Sequence, residues 1–325
     1  MTQAVVLGGT GHIGAAIARA LDQQGLSVTA TGRRSVAPPN LMGTDVAYAA
    51  GDDRTPGQLA AWVRDADIIV DAATPYPVWR YGADPKTVVA AARRRSRDVV
   101  ELTSKQGARL VHVSSFTTLP AQGGLKESLR LAWVRGVHPY FEVKEKVEAD
   151  VLAALSDGLK GTVINPTACF GPYDMKPAKQ AFIPMLMQGE VMGSVRHPLN
   201  VVDVRDVAAC VCALLQAVDG PARLPVSGHN IHVDALMAQV CAIADLTAPT
   251  LRAPLLPTAT ASYLAETAAA LRGRKPTWPS LPMLLTLAGG SRKMSAQQRA
   301  LGVTLTPLDQ TLEDAVAWYR QIAQD

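Results

Sequence analysis

Short apolar runs alternate with alanine-rich stretches through the first half of the chain. The runs with the composition of buried strands are Ala4–Leu7, Ser27–Thr31, Val46–Ala50, Ile68–Ala72, Arg109–Ser114 and Gly161–Asn165. They are apolar at consecutive positions, which is expected of strands covered by helices on both faces. Between the first two runs, Gly14–Gln24 places Ile17, Ala18 and Leu21 on one helical face, and Gly25 ends it. This alternation predicts an α/β fold with a doubly wound parallel sheet.

The regular pattern changes near Gly171, beyond which prolines become frequent. We therefore expect residues 1–170 to form one domain built on the sheet. Residues 171–325 are expected to form mainly a smaller substrate-binding region, with about residues 200–215 returning to the sheet core.

Composition narrows the classes of partner. The 325 residues are 48% hydrophobic and 18% charged, and 32 Lys+Arg against 28 Asp+Glu leave a net charge of +4. So small a positive charge argues against nucleic acid as a partner. The four cysteines show no paired spacing, which argues against disulfides and a metal site and favours a cytoplasmic protein. No signal-like segment precedes the first strand, and the uncharged stretch 276–291 contains three prolines, so no membrane association is expected.

A glycine-rich turn directly follows the first strand and opens the first helix. It runs from Gly8 to Gly14 and fits the spacing G-x-G-x-x-G. In a Rossmann-type fold such a turn lets the backbone approach a pyrophosphate at the helix N-terminus, where unpaired N–H groups favour anions. The residues expected to bind a dinucleotide here are Gly8, Thr10, Gly11, His12, Ile13 and Gly14. A glycine turn without a ligand is the alternative.

The end of the second strand bears on the choice of dinucleotide. An NAD site usually has a carboxylate there to bind the ribose, and this chain has Gly32 followed by Arg33 and Arg34. Two guanidinium groups suit a 2′-phosphate, so NADP(H) is the expected cofactor, unless both arginines are ordinary loop charges. Asp52 and Asp53, after the third strand, are candidate acceptors for the adenine amino group; two surface acids in a turn are the alternative.

Candidate catalytic residues follow the fifth strand. Ser115 comes at its carboxyl end, where ligands of open α/β sheets bind. Tyr140 and Lys144 are four residues apart and share a face if the segment is helical. A neighbouring ammonium lowers the pKa of a phenol and makes it a usable general acid or base, and a serine can stabilise charge on the same substrate oxygen. A Tyr and Lys in ordinary helix packing are the alternative.

With these motifs in order, the chain resembles an extended short-chain dehydrogenase/reductase of the NAD-dependent epimerase/dehydratase superfamily over nearly its whole length. The matching segments are the glycine turn, Asp52, Asp71-Ala72-Ala73, Ser114-Ser115, Tyr140 with Lys144, the run Asn165 to Pro172, the run Val201 to Ala208, Leu301-Gly302-Val303 and Trp318-Tyr319. The resemblance implies that Ser115, Tyr140 and Lys144 form the catalytic triad and that Lys144 also holds the nicotinamide ribose. It further implies that Ala72, Ala73, Asn165, Pro166 and Thr167 contact the cofactor.

Departures from the pattern indicate a branch. Ala168 and Leu199 stand where members that act on nucleotide-sugars carry Asn and Arg, although Arg196 lies close to the second position. The chain is more similar to the branch of dihydroflavonol reductases and 3β-hydroxysteroid dehydrogenases, which act on carbonyls or secondary alcohols of larger apolar molecules. Ala92 replaces an Asn common in the helix before the fifth strand, which leaves a proton relay through that helix without its usual amide.

Aromatic residues near the expected nicotinamide suggest a pocket for an uncharged substrate. The candidate substrate contacts are Tyr76, Trp79, Phe116 and Phe170, with core packing as the alternative for each. The leading hypothesis is an NADPH-dependent ketoreductase, or the reverse alcohol dehydrogenase, in which Tyr140 is the general acid. Its rivals are a nucleotide-sugar epimerase or dehydratase with tightly bound NAD(P) and a non-catalytic NADP-sensing protein. A monomer or a homodimer fits equally well.

Overall fold

The computed structural model describes residues 1–74, 84–120, 122, 139–176, 181–191, 193–217, 220–273 and 290–323. Seven parallel strands form the central sheet in the order β10-β6-β5-β4-β1-β2-β3. They are β1 Gln3–Leu7, β2 Ser27–Gly32, β3 Ala47–Ala50, β4 Ile68–Asp71, β5 Arg109–Val113, β6 Gly161–Pro166 and β10 Arg223–Val226. The prediction of a Rossmann-type doubly wound α/β fold is confirmed.

Helices cover both faces of this sheet. They are α1 His12–Gln23 and α6 Val204–Gln216 on one face, and α2 Gln58–Val63, α3 Pro85–Gln106 and α4 Pro139–Ser156 on the other. Side chains alternate along each strand, so Val70 and Val111 pack towards α1 and α6, whereas Ile69 and Leu110 pack towards α3 and α4. Both faces are therefore buried, as the apolar strand sequences require.

Two features of the sheet differ from expectation. The short β3 is half-exposed, contrary to the prediction that each strand is apolar on both faces, because it is an edge strand. β10 lies at the opposite edge and is absent from the predicted strands. Its sequence contains Pro225, which has no N–H to donate and is tolerated in a strand only at such an edge.

The remaining elements form a smaller region beside the carboxyl edge of the sheet. Its strands are β7 Ala168–Phe170, β8 Gly193–Val195, β9 Pro198–Asp203, β11 His229–His232 and β12 Leu251–Ala253, paired as β11-β9-β7 and β12-β8. Its helices are α5 Phe182–Met187, α7 Val233–Ala244, α8 Leu255–Leu271, α9 Ala296–Ala300 and α10 Leu308–Ile322. No helix in the described part of the chain is long and apolar enough to cross a bilayer.

Candidate active site

The glycine turn joins β1 to α1 with little room for side chains. Gly8 has φ +71° and a Cβ there would lie 2.9 Å from Cα of Ala73; a Cβ on Gly9 would lie 2.6 Å from that of Ala30. A Cβ on Gly14 would collide with the carbonyl oxygen of Gly8. These contacts explain the glycine spacing and bring β1, β2 and the end of β4 together at the start of α1.

The N-terminus of α1 suits a pyrophosphate. Gly11 is the residue before the helix and has no side chain to cap it, which leaves the first N–H groups of α1 available to an anion. The side chain of His12 is buried, and its Nδ1 lies 3.9 Å from Oδ2 of Asp174. Only the backbone of His12 can therefore face such a ligand. Burial also lowers the pKa of His12, which keeps its imidazole neutral at pH 7.

The end of β2 presents two cations. A Cβ on Gly32 would lie 2.6 Å from the methyl of Thr10, so the glycine turn packs directly against this strand end. Arg33 and Arg34 follow it and are exposed, and neither forms a salt bridge within the described residues. A 2′-phosphate on a ribose at this edge fits this charge and exposure.

The two acids after β3 have different surroundings. Asp52 is partly exposed and forms an ion pair with Arg54 at the surface. Asp53 accepts from Nε of Arg95 on α3 at 2.5 Å, and the same guanidinium reaches Asp71 at the end of β4. Asp52 therefore faces outward, whereas Asp53 belongs to a buried ionic chain that sequence reasoning missed.

Ser115 lies just beyond β5, where a short 3-10 helix, Phe116–Thr118, begins. Its Oγ accepts from the amide of Thr117 at 3.2 Å and from the hydroxyl of Thr117 at 3.0 Å. The Ser115 hydroxyl can still donate its own proton. Its main-chain oxygen accepts from Nδ2 of Asn165 at 3.1 Å, which ties the serine to the end of β6.

Tyr140 and Lys144 lie one turn apart near the start of α4, and both are buried. Tyr140 packs edge-on against the ring of Phe141. Nζ of Lys144 donates to the carbonyl oxygen of Val113, at the end of β5, at 3.2 Å. The ammonium is thus held at the end of the strand that leads to Ser115, and Tyr140 lies one turn before it on the same helix.

Burial changes the proton affinity of this lysine. It lowers the pKa of Lys144 to about 8, against the opposing influence of the carboxylates Asp71 and Glu148. Lys144 therefore remains largely protonated at pH 7, where its charge favours the phenolate form of a nearby tyrosine. The arrangement can deliver a proton to, or remove one from, an oxygen placed at this edge.

A second buried carboxylate organises the same edge. Oε2 of Glu148, one turn beyond Lys144, accepts from the hydroxyls of Ser114 and Thr118 and from Nδ2 of Asn165, the last two at 2.6 and 2.7 Å. Its Oε1 lies 2.5 Å from Arg223 of β10. Sequence analysis did not single out Glu148, although its position four residues after Lys144 on the same helical face was a usable signal.

The segments expected to face the nicotinamide lie at the ends of β4 and β6. Ala72 and Ala73 follow β4, Pro166 ends β6, and Thr167 donates to Oδ1 of Asn200 at 2.8 Å. A cavity of about 210 Å³ opens beside Thr167. Its described lining combines apolar residues such as Leu119 and Val226 with the polar Asn165, Ser227 and Arg292.

The four candidate substrate contacts have different positions. Phe116 is 3% exposed and lies beneath the guanidinium of Arg292, at 5.5 Å from ring centre to Cζ. Phe170 is half-buried and packs edge-on against Phe182 in the core of the smaller region. Tyr76 and Trp79 lie outside the described residues.

Comparison with known proteins places the chain in a family. The model of the NAD dependent epimerase/dehydratase family matches residues 4–226, well over half of the chain, so the protein belongs to that family. The matched range includes the glycine turn, Ser115, Tyr140 and Lys144.

Individual relatives span the whole chain. The sequence is 28% identical to a dihydroflavonol 4-reductase-like protein of Synechocystis, over 97% of this chain and 94% of the relative. It is 26% identical to sterol demethylase protein B of Methylococcus capsulatus, over 98% of each. The crystal structure of a nucleoside-diphosphate-sugar epimerase from Pseudomonas aeruginosa has a TM-score of 0.72 at 21% identity and covers 99% of this chain and 98% of its own; it shares the fold.

Proposed function

We propose that the protein is an NADPH-dependent reductase that transfers hydride to the carbonyl of a mostly apolar small molecule, with Tyr140 as the general acid. The observation that carries this proposal is the pairing of Tyr140 with a buried, protonated Lys144 at the edge of the sheet where Ser115 lies. When bound, the dinucleotide supplies the hydride. The similarity to a dihydroflavonol 4-reductase-like protein supports reduction of a carbonyl.

Three residues of the chain would have distinct roles in the reaction. Ser115 donates a hydrogen bond to the substrate carbonyl oxygen and Tyr140 transfers its proton to that oxygen as it gains charge. Lys144 stabilises the phenolate that remains. In the reverse direction, the same tyrosine removes the proton of a secondary alcohol.

NADP(H) is the cofactor we propose. Arg33 and Arg34 directly follow a glycine where an NAD site usually has a carboxylate, and their exposure suits a 2′-phosphate. The glycine turn, together with Ala72, Ala73, Asn165, Pro166 and Thr167, would hold the rest of the dinucleotide.

A substitution at Tyr140 tests the proposal. Purified protein is mixed with NADPH and a panel of aryl ketones, steroid ketones, flavanonols and nucleotide-sugars, and absorbance of the reduced nicotinamide is followed. We expect oxidation of NADPH with a ketone, and a loss of about 10²–10⁴-fold in kcat for Tyr140→Phe with NADPH binding retained. Tyr263→Phe, on α8 of the smaller region rather than on α4, is the matched control and should keep full activity.

Other outcomes point elsewhere. Unchanged NADPH oxidation in Tyr140→Phe would refute the assigned acid. Conversion of a nucleotide-sugar without net NADPH consumption would indicate an epimerase. NADPH binding with no turnover of any panel member would indicate a sensing protein.

A further inference from the structure

A chain of charged side chains lies below the carboxyl edge of the sheet, on the face covered by α3 and α4. Arg95 is at its centre: Nε donates to Asp53 at 2.5 Å, and Nη1 lies 2.8 Å from Oδ1 of Asp71. His112 extends the chain, with Nδ1 3.2 Å from Oδ2 of Asp71. Asp71 and His112 are each 1% exposed, so water screens the charge of Asp71 little.

The chain ends one residue before the main-chain oxygen that accepts from the candidate catalytic lysine. Asp71 and His112 are register partners on β4 and β5, and the residue after His112, Val113, supplies the carbonyl oxygen that accepts from Lys144. Four elements contribute charged or titratable groups near this lysine. These groups are Asp71 from β4, His112 from β5, Arg95 from α3 and Glu148 from α4 itself.

We propose that Asp71 is a positioning residue for the reductase reaction. Its buried carboxylate is the counter-charge that keeps Lys144 an ammonium beside Tyr140, and the positive charge of Arg95 opposes this effect. The inference rests on the proposed function only in its kinetic consequence. The geometry that carries it is the Asp53–Arg95–Asp71–His112 chain, which fixes the carboxylate of Asp71 from two sides.

The charges around Lys144 change its pKa in opposite directions. Burial would raise the pKa of Asp71, but Arg95 and His112 hold it well below its usual range, so Asp71 stays ionised. Burial lowers the pKa of Lys144, Asp71 opposes this more than Glu148 does, and Arg95 lowers it further. Asp71 and Arg95 therefore act on the lysine in opposite directions.

The helix facing α4 does not supply a polar group at Ala92. Ala92 is 2% exposed and packs with Val89, Val143 and Val147 between α3 and α4. A relay amide at that position is thus replaced by apolar packing. The charge on α3 that affects Lys144 is Arg95, one turn further along, which is bonded to Asp71.

Two substitutions of opposite sign test the proposal. The pH dependence of kcat/KM is measured for NADPH-dependent ketone reduction by the full-length protein. Asp71→Asn should move the alkaline limb to lower pH by about one unit or more, because it removes the counter-charge. Arg95→Gln should move the same limb to higher pH, because it removes a competing cation.

Asp150→Asn is the matched control. Asp150 is a carboxylate on α4 bonded to Arg93 of α3 at 2.7 Å, so its loss breaks another carboxylate–arginine contact of α3. The limb should stay in place in this variant. General damage to the α3–α4 contact would instead change Asp150→Asn and Asp71→Asn alike.

A second readout does not depend on turnover. Competitive acetylation of Lys144, quantified by mass spectrometry across pH, reports the pKa of this amine in the cofactor-free protein. Shifts of opposite sign in Asp71→Asn and Arg95→Gln support the proposal; no shift, or shifts in one direction, would overturn it. If Asp71→Asn fails to fold, Arg95→Gln decides alone, and an unmoved or lowered Lys144 pKa overturns it.

The two readouts also separate this proposal from the proposed function. Absence of ketone reduction with the expected acetylation shifts would refute the reductase and leave the role of Asp71 intact. Ketone reduction with an unchanged Lys144 pKa in both variants would refute the role of Asp71 and leave the reductase intact.

Discussion

Lys144 is buried, and its pKa lies close to neutral pH. Its ammonium donates to the main-chain carbonyl of Val113, and the charges of Asp71 and Glu148 raise its pKa against the effect of burial. A pKa of about 8 means that it titrates within the range where an enzyme can be assayed. Its protonation state should therefore be visible in kinetics.

We predict an alkaline limb in the reduction rate. Below pH 8 the ammonium is present and stabilises the phenolate formed when Tyr140 gives up its proton; as pH rises through about 8, this charge is lost. The kcat/KM for ketone reduction should then fall about tenfold per pH unit. Lys146→Met, which removes an exposed lysine of the same helix, should keep the limb. A flat profile to pH 9.5 in the unsubstituted protein would contradict this assignment.

Arg33 and Arg34 carry the prediction about the coenzyme. Each is exposed after β2, and a hydrogen bond to a charged group contributes about 1.5–3 kcal/mol. The double substitution Arg33→Ala/Arg34→Ala should weaken NADPH binding by about tenfold or more while changing NADH binding little. Fluorescence titration with both dinucleotides measures this, with Arg272→Ala at the end of α8 as the control. An equal loss for both dinucleotides would remove the basis for NADP(H).

At the scale of elements, Glu148 joins four parts of the site. Through its two oxygens α4 is connected to the ends of β5 and β6 and to β10. The helix that carries Tyr140 and Lys144 is thereby fixed relative to the strands that carry Ser115 and Asn165. A buried carboxylate with this many donors holds elements together only while every donor is satisfied.

Removal of Glu148 should be costly for stability. Glu148→Ala leaves the guanidinium of Arg223 and the hydroxyl of Ser114 without this acceptor, and a buried donor left unsatisfied costs about 1–3 kcal/mol. Urea unfolding followed by circular dichroism measures the change. The comparison variant is Glu101→Ala, whose exposed ion pair with Lys105 should be worth less than about 1 kcal/mol. Equal effects of the two substitutions would show that the buried network contributes little.

The elements differ in how far sequence could predict them. The six predicted strands match β1 to β6 within a residue or so at each end, because long apolar runs between alanine-rich helices leave little choice. β10 has four residues and a proline, so its sequence alone resembles a loop, and only pairing with β6 makes it a strand.

Within the site, motifs that are local in sequence could be predicted, whereas contacts between residues distant in sequence could not. The glycine turn and the Tyr140/Lys144 pair each lie within eight residues or fewer of sequence. The contact of Arg95 with Asp53 and Asp71 joins residues 42 and 24 positions apart. Its segment, Arg93 to Arg97, has the composition typical of a solvated helix face, yet the Arg95 side chain is only 10% exposed. No periodicity distinguishes one buried arginine among four.

At the scale of the whole molecule, the sheet and the smaller region share elements. β9 contributes Leu199 and Val201 to the core of the smaller region and Val202 to the core beneath α1. It leads through Asp203 directly into α6, which packs against α1. The segment after residue 290 returns to the sheet, where Gln298 donates to the carbonyl oxygen of Ser227 at 2.7 Å.

These shared elements predict that the sheet domain, expected over residues 1–170, and the smaller region, expected mainly within residues 171–325, unfold together. Leu312 of α10 is fully buried in the core of the smaller region, and Leu312→Ala should cost about 2–5 kcal/mol. Hydrogen exchange should then show reduced protection in β4 and β5 of the sheet by the same free energy as in α10, because both open in one cooperative unit. Leu264→Ala, at an exposed position of α8, should change neither. Loss of protection confined to residues 171–325 would instead show that the sheet is stable without the smaller region.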